Sequence, residues 1–286
     1  MPGTLYVVAT PIGNLEDFTF RAKRILGEVD LIAAEDTRRT SHLLAHYQIK
    51  KPMVSLREHN ETREAARIVE KILAGASVAV VTDAGTPGIA DPGARMVNAA
   101  RAAGIPVVPI PGASAVAAAM SISGSTVSEF TFLGFPPAKG EERNRWFERM
   151  AAIDHPVVFF EAPHRIERTV SEVEQILVKK QILILRELTK LNETVVIRPN
   201  NIFNYDIRAI GEFCLVIIPA VNQTKVATDT VAVQSEALKL FNQLVAGGQV
   251  SDDFAIELIA LKMAVTEAVA RKAIKKAKIS VKQQKQ

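Results

Sequence analysis

The sequence predicts an α/β protein built from two α/β domains and a C-terminal helical extension. Three observations predict it. Short apolar runs alternate with helical patterns from the start of the chain, the βαβα rhythm of a mostly parallel sheet covered on both faces. Hydrophobic residues make up 48% of the 286, and Val, Ile, Leu and Ala dominate over aromatics, as buried parallel strands require. Several strand-like runs also end in glycine- and proline-rich loops, where open α/β sheets build ligand sites.

Taken in order, residues 5–9 read as a strand, 20–26 as a helix and 31–34 as a strand. Residues 41–47 follow as a helix and 53–56 as a strand. The next helix, 63–73, carries Ala65, Ala66, Ile68, Val69, Ile72 and Leu73 as its apolar positions. Residues 78–81 and 107–110 are strands on either side of an Ala-rich helix that begins at Ala94. These elements place a first domain at residues 1–122. Ser123-Gly124-Ser125-Thr126 has the composition of a linker. A second domain, 123–222, holds strands at 130–133, 157–160, 182–185, 194–197 and 214–218, with helices at 143–150 and 166–177, and predicts a mixed sheet. Beyond Asn222 the strands stop. Residues 233–244, 252–261 and 267–278 read as helices, the last two behind N-cap signals at Ser251-Asp252-Asp253 and Thr266-Glu267. Three short helices with a basic last one fit a helix-turn-helix module, with Met263 where such a turn often has glycine. They fit a helical cap or dimer arm equally well.

Composition narrows the setting. Cys214 is the only cysteine, so no intrachain disulfide forms; it reads as a core residue, and a reducing cytoplasmic location is expected. Met1-Pro2-Gly3-Thr4 lacks a basic n-region, which predicts no secretory signal. Residues 102–128 carry no charge and are long enough to test as a membrane span. Pro106, Pro109, Pro111 and Gly112 interrupt them, so they read as a buried strand, a loop and a small-residue helix, and no membrane association is expected. The net charge of +4 is uneven: from Lys262 onward eight basic residues face one acid, about +7, leaving about −3 on the rest. A basic appendage on a near-neutral body suits a polyanion partner; a solvated helix face is the alternative.

Three loops carry the chemistry. They are Thr10-Pro11-Ile12-Gly13-Asn14-Leu15, the stretch from Thr82 to Gly93, and Pro109-Ile110-Pro111-Gly112-Ala113-Ser114-Ala115. Each follows a predicted strand, so a parallel sheet brings all three to one edge. There they form a pocket of backbone amides and carbonyls, with Ser114 at a helix N-terminus. Classical dinucleotide and P-loop fingerprints are absent from the sequence, as are a nucleophile elbow and a cysteine pair for structural zinc. No metal is expected. Glu35-Asp36-Thr37-Arg38 closes the second strand at the same edge, as charged site residues, as an N-cap for the next helix, or as both. Glu161-Ala162-Pro163-His164-Arg165 and Glu187-Leu188-Thr189-Lys190 end strands of the second domain, as cleft residues or as structural salt bridges. Trp146 either stacks on a base or anchors its helix.

At these residues the chain resembles the tetrapyrrole methylase superfamily, and within it the branch that methylates ribosomal RNA. The matching pieces run in order. They include residues 5–15, Ala33-Ala34-Glu35-Asp36-Thr37-Arg38, residues 82–93, Pro111-Gly112-Ala113-Ser114 and Gly134-Phe135-Pro136-Pro137. Phe160-Glu161-Ala162-Pro163-His164-Arg165, Arg186-Glu187-Leu188-Thr189-Lys190 and Gly211-Glu212-Phe213 complete them. Tetrapyrrole-modifying relatives usually carry a Gly-Pro-Gly-Asp-like first loop, whereas this one reads Thr-Pro-Ile-Gly-Asn. The resemblance implies S-adenosylmethionine as methyl donor, held in a cleft between the two α/β domains. It also implies a homodimer acting on 16S rRNA or the small ribosomal subunit, at the ribose 2′-hydroxyl of a cytidine in the decoding region. Thr10, Pro11, Gly85, Thr86, Pro87, Gly88, Ile89, Ser114, Ala115 and Phe160 are then expected to hold the donor. Glu35 or Asp36 is expected to act as general base, and Arg38 or Lys190 to orient ribose or phosphate. Methylation of a small tetrapyrrole and a non-catalytic RNA-binding role are the competing readings.

Overall fold

The structure is a computed structural model describing residues 2–177, 181–198, 208–218 and 237–243, with Ala255, Ile256, Ile259, Ala270, Arg271, Lys272, Ile274 and Lys275. The chain divides into two compact units, Met1–Pro219 and Ala220–Gln286.

The larger unit holds two five-stranded sheets. In the first, β1 (Leu5–Val8), β2 (Leu31–Ala34), β3 (Met53–Ser55), β4 (Val78–Val81) and β5 (Val107–Ile110) lie in the order β3-β2-β4-β1-β5. Every pairing is parallel; Leu5, for example, sits between Val78 and Val107. Strands buried on both faces need two apolar sets, and β2 and β4 supply them in alternation. Leu31, Ala33, Val78 and Val80 face α3 (Glu61–Leu73) and α4 (Ala94–Ala102). Ile32, Ala34, Ala79 and Val81 face α1 (Phe20–Glu28) and α2 (Thr37–His46). Adjacent β4 and β1 therefore send their following helices to opposite faces. A crevice opens at the carboxyl ends of such strands.

The second sheet runs β6-β7-β10-β8-β9. Its strands are β6 (Thr131–Phe132), β7 (Val157–Glu161), β8 (Gln181–Arg186), β9 (Thr194–Arg198) and β10 (Phe213–Ile218). Only β6 and β7 pair in parallel, so the sheet is mixed, as the sequence predicts. α6 (Gly140–Ala151) and α7 (Ile166–Ile176) cover one face through Trp146, Phe147, Met150, Ile166, Val170 and Val173. Trp146 is an anchor and not a stacking platform: it is buried, and its indole N–H donates to the Leu133 carbonyl at 3.3 Å.

The other face is covered by α5 (Ala115–Ser121), which leaves the first sheet but packs Val116 and Ala119 against Val158, Leu185, Cys214 and Val216 of the second. This short helix couples the parallel sheet's loop edge to the mixed sheet, and the cleft described below lies at that seam.

Several helices start earlier than their apolar pattern. α2 begins at Thr37 because the Asp36 carboxylate accepts the Arg38 N–H at 2.9 Å. In the smaller unit, residues 237–243 are helical, and Ala237, Phe241, Ala255, Ile256, Ile259, Ala270 and Ile274 form a separate apolar cluster. The turns expected around Gly247-Gly248 and Met263, and the caps at Ser251 and Thr266, lie outside the described residues. No helix among the described residues is long and apolar enough to cross a membrane.

Candidate functional site

The three glycine- and proline-rich loops meet beyond the ends of β1, β4 and β5, and hydrogen bonds tie them together. The Thr10 N–H donates to Gly85 O at 2.9 Å and the Gly85 N–H returns to Thr10 O at 3.0 Å. The Thr10 hydroxyl donates to Thr82 O at 3.2 Å, and the Thr86 hydroxyl donates to Ala113 O at 3.2 Å. Gly85 adopts φ +76°, a conformation that favours glycine, and so presents bare backbone to the cleft. Gly112 has another reason to be glycine: a Cβ there would stand 2.9 Å from Ala9 Cβ, inside contact distance.

The loop after β4 closes on itself. The Gly88 N–H donates to Pro92 O at 3.0 Å and the Ile89 N–H to Thr86 O at 3.3 Å, leaving Ile89, Ala90 and Asp91 at the tip. The end of the loop meets an acid that lies ahead of the helix expected at 63–73 and opens α3 in the structure. Glu61 is buried, and its Oε1 accepts the N–H groups of Gly93, Arg95 and Met96 at 3.0, 2.9 and 3.1 Å. One carboxylate thus satisfies the open first turn of α4 and pins the end of the loop.

The cleft has a volume of about 410 Å³ and draws its walls from both sheets. Of the residues expected to hold the donor or to act on the acceptor, Glu35, Gly85, Thr86, Ile89, Ser114, Ala115 and Phe160 line it. The others stand behind or beside it. Thr10 is buried in the loop junction. Pro87 packs on Gly93, whose Cβ position lies 3.3 Å from the Pro87 Cβ, and Gly88 closes the loop. Pro11 and Arg38 are absent from the wall, and Arg38 points its exposed side chain at Asp36. Asp36 spends its carboxylate on the α2 cap and on Arg38, and those bonds hold its pKa below the ordinary value. Ser114 caps α5, accepting the Ala117 N–H at 3.4 Å, while its residue still lines the cleft.

Lys190 is not in the wall either, but it joins the two sheets' loops. Its stem crosses Gly13, where an added Cβ would fall 2.2 Å from Lys190 Cγ, and its ammonium bonds Glu187 Oε1 at 2.8 Å and Glu212 Oε2 at 2.9 Å. Burial works against that ammonium, yet the two carboxylates outweigh it and raise its pKa. Across the cleft, Glu161 lies at its wall, fully buried. It pairs with Arg165 at 2.6 Å, accepts the Thr169 hydroxyl at 2.5 Å and accepts the Ala162 N–H at 2.7 Å. Lys190 thus makes the ion pairs of the salt-bridge reading and stands outside the wall, whereas Glu161 is wall and ion pair at once.

The wall also contains residues that sequence reasoning did not single out. Asp83, Asp91 and Glu212 join Glu35 as carboxylates, with Arg39 as cation and Phe135 as an exposed ring 5.5 Å from the Phe160 ring. Asp83 and Asp91 sit inside the loop already marked by its glycines; their acidity was the available signal. Burial raises the pKa of Glu35, with Asp83 adding to it, although the Asp83 N–H donated at 3.2 Å opposes the shift. Asp91 keeps one side open to solvent, yet its carboxyl is pushed up to about 7 by burial and by the charges of Glu35, Asp83 and Glu212. Burial likewise pushes the Cys214 thiol up to about 12, so at neutral pH it is an inert part of the wall.

Comparison with known proteins agrees with this architecture. The family model for Tetrapyrrole (Corrin/Porphyrin) Methylases matches residues 4–200. A protein of Xylella fastidiosa named ribosomal RNA small subunit methyltransferase I is 45% identical over 228 residues, covering 78% of this chain and 84% of its own length. Among solved structures, diphthine synthase superposes with a TM-score of 0.60 at 16% identity, covering 76% of this chain and 89% of its own. Uroporphyrin-III C-methyl transferase from Thermus thermophilus, complexed with S-adenyl homocysteine, superposes with a TM-score of 0.52 at 16% identity, over 77% of this chain and 99% of its own. The chain belongs to the tetrapyrrole methylase family, among the relatives named ribosomal RNA small subunit methyltransferase I.

Proposed function

We propose that this methyltransferase transfers a methyl group from S-adenosylmethionine to the ribose 2′-hydroxyl of a cytidine in the decoding region of 16S rRNA. The observation that carries the donor is the cleft itself. A donor bearing sulfonium and ammonium charges fits a wall in which Glu35, Asp83, Asp91 and Glu212 stand beside the paired Glu161. Bare backbone at Gly85 and the Thr86, Ser114 and Ala115 segments fit its polar parts, and the Phe135 and Phe160 rings fit its adenine. A solved fold neighbour holds the demethylated product of the same donor. An rRNA acceptor is supported by the named relatives and by the departure of the first loop from the tetrapyrrole pattern, and the cytidine 2′-hydroxyl is the position that the sequence resemblance implies.

The donor supplies an activated methyl group when bound. The protein's part is position and electrostatics. Thr10, Pro11, Pro87 and Gly88 hold the loops in place from behind, and Gly85, Thr86, Ile89, Ser114, Ala115 and Phe160 meet the donor. Good alignment of the reacting atoms is worth roughly 7–11 kcal/mol. Glu35 stabilises positive charge in the cleft. Lys190 steadies Glu212 through its 2.9 Å ion pair, and Arg38, exposed at the rim, meets ribose or phosphate. The active form is a homodimer in the cytoplasm, and the basic third segment of the tail binds phosphates without sequence readout.

The test is labelled methyl transfer to small ribosomal subunits, free 16S rRNA and a tetrapyrrole precursor, with nucleoside mass spectrometry of the product. 2′-O-methylcytidine at a decoding-region site is expected. A methyl group on a base, or transfer to the tetrapyrrole alone, would refute the proposal.

A further inference from the structure

We propose that Asp91 is the catalytic base that takes the proton from the acceptor hydroxyl; this rests on the ribose 2′-hydroxyl reading above. A ribose hydroxyl is a poor nucleophile, and a positioned base adds about 10²–10⁴-fold. The base needs an open cleft-facing carboxylate, and four of the five in this wall already hold a hydrogen bond or ion pair. Glu35 Oε2 accepts the Asp83 N–H. Asp83 accepts the Asp36 N–H at 3.0 Å and pairs with Arg39 at 3.3 Å. Glu212 is bonded to Lys190, and Glu161 to Arg165, Thr169 and Ala162. Asp91 alone among the cleft carboxylates of the described residues has no hydrogen bond or ion pair. It stands at the tip of a closed loop whose end is pinned by Glu61.

The charged groups around it explain its proton affinity. Glu35 from the end of β2, Asp83 from the end of β4 and Glu212 before β10 all repel a negative charge on Asp91. The nearby cations are engaged: Arg39 of α2 on Asp83, Lys190 on Glu187 and Glu212, and Arg165 on Glu161. With a carboxyl pushed up to about 7, Asp91 accepts a proton and gives it back to water near neutral pH. In the step itself the hydroxyl O–H bond breaks and its proton goes to an Asp91 oxygen. The hydroxyl oxygen's electron pair forms the new O–CH3 bond, and the donor's C–S bond breaks with its pair returning to sulfur. Charge balances, because one cation and one carboxylate become two neutral groups.

Three measurements on the full chain test this. The first is isotope-edited NMR of aspartate carboxyl carbons without donor or RNA: one resonance should titrate near pH 7 and vanish in Asp91→Asn. The second is the single-turnover rate with saturating donor and rRNA between about pH 5 and about pH 9. The wild type should rise with pH and level off, with its inflection below that of the donor-free resonance, because the bound donor favours the ionised carboxylate. With donor kept saturating, Asp91→Asn should be at least about 100-fold slower and lose the inflection. The third is Asp91→Glu, which should recover part of the rate and the inflection. An Asp91→Asn rate within about threefold of wild type, a slow variant that keeps the inflection, or no aspartate titrating near 7 would overturn the assignment. The two proposals fail separately. A product methylated on a base overturns the ribose reading and this role with it; 2′-O-methylcytidine formed at the normal rate by Asp91→Asn overturns Asp91 alone.

Discussion

Glu61→Ala is the substitution whose cost follows most directly from geometry. The Glu61 carboxylate is the cap of α4, although it belongs to another helix. Its three bonds, at 3.0, 2.9 and 3.1 Å, all go to first-turn N–H groups, and Gly93 and Met96 are buried, out of reach of water. A hydrogen bond to a charged group contributes about 1.5–3 kcal/mol, and each buried donor left without a partner costs about 1–3 kcal/mol. The bonds share one oxygen and are not additive, and the donor at Arg95 recovers water. A loss of about 3–4 kcal/mol is therefore expected. With a urea dependence of about 1–3 kcal/mol/M, the unfolding midpoint of the larger unit should fall by at least about 1 M. Glu61→Gln keeps an acceptor oxygen but not the charge beside the α4 dipole, and should lose about half as much. The same change frees the end of the loop that carries Asp91, so donor affinity should drop in Glu61→Ala even where the protein remains folded. A midpoint shift under about 0.3 M, with donor affinity unchanged, would show that the three bonds do not hold the loop.

Two further outcomes are expected. Arg143 is buried, bonded to Thr169 at 2.7 Å and to Glu172 at 2.5 Å, with Glu161 at 4.0 Å; Arg143→Met leaves those acids short of a counter-charge and should cost about 3–5 kcal/mol in urea unfolding. Burial opposes the Glu172 carboxylate, but Arg143 and Arg168 outweigh it and hold its pKa below the ordinary value. Its stabilisation is therefore complete above the unfolded value and lost as pH falls through the lowered one, and Arg143→Met should flatten that acid limb of the stability curve. On the smaller unit, Arg271, Lys272 and Lys275 are exposed, and reversing all three to Glu should weaken rRNA binding with donor affinity unchanged in calorimetry. The salt slope of binding should fall as well, by about 0.7–0.9 for each phosphate no longer neutralised.

The backbone of the site is legible in the sequence because glycine and proline at strand ends have few conformational uses. The three loops were visible as loops, and the continuous apolar runs of β2 and β4, buried at every position, marked the parallel sheet they sit on. Side-chain traffic between distant segments was not legible. Glu61 falls ahead of the helix read at 63–73, and nothing local says that it caps α4 more than thirty residues on. Asp91-Pro92-Gly93 reads as turn chemistry, and the group's proton affinity is set by carboxylates at 35, 83 and 212. Asp36 was ambiguous for a physical reason, since a carboxylate at a helix start serves a cap and a site with the same atoms. α5 was visible as a helix, but its Ala and Val residues carry no sign that their partners lie in the second sheet.

The distribution of charge gives the cleft and its rim different tasks. Carboxylates line the interior, and a phosphate entering it would meet Glu35, Asp83, Asp91 and Glu212 together. Arg38 and Arg57 stand outward: Arg38 has a side chain 83% exposed, and Arg57, 46% exposed, lies 4.0 Å from the same Asp36 carboxylate. Such a site favours a cationic donor inside and keeps the polyanion's backbone at the edge. Under the proposed function, only a ribose hydroxyl has to reach the interior, and it is the one uncharged group on that backbone able to accept a methyl. The acidic wall that attracts the donor also raises the proton affinity of Asp91, so donor binding and proton removal draw on the same carboxylates. A positive donor beside Asp91 favours its ionised form and pulls its pKa back down. The base is thereby readied when the methyl group is present, and the protonated, idle form prevails when it is not.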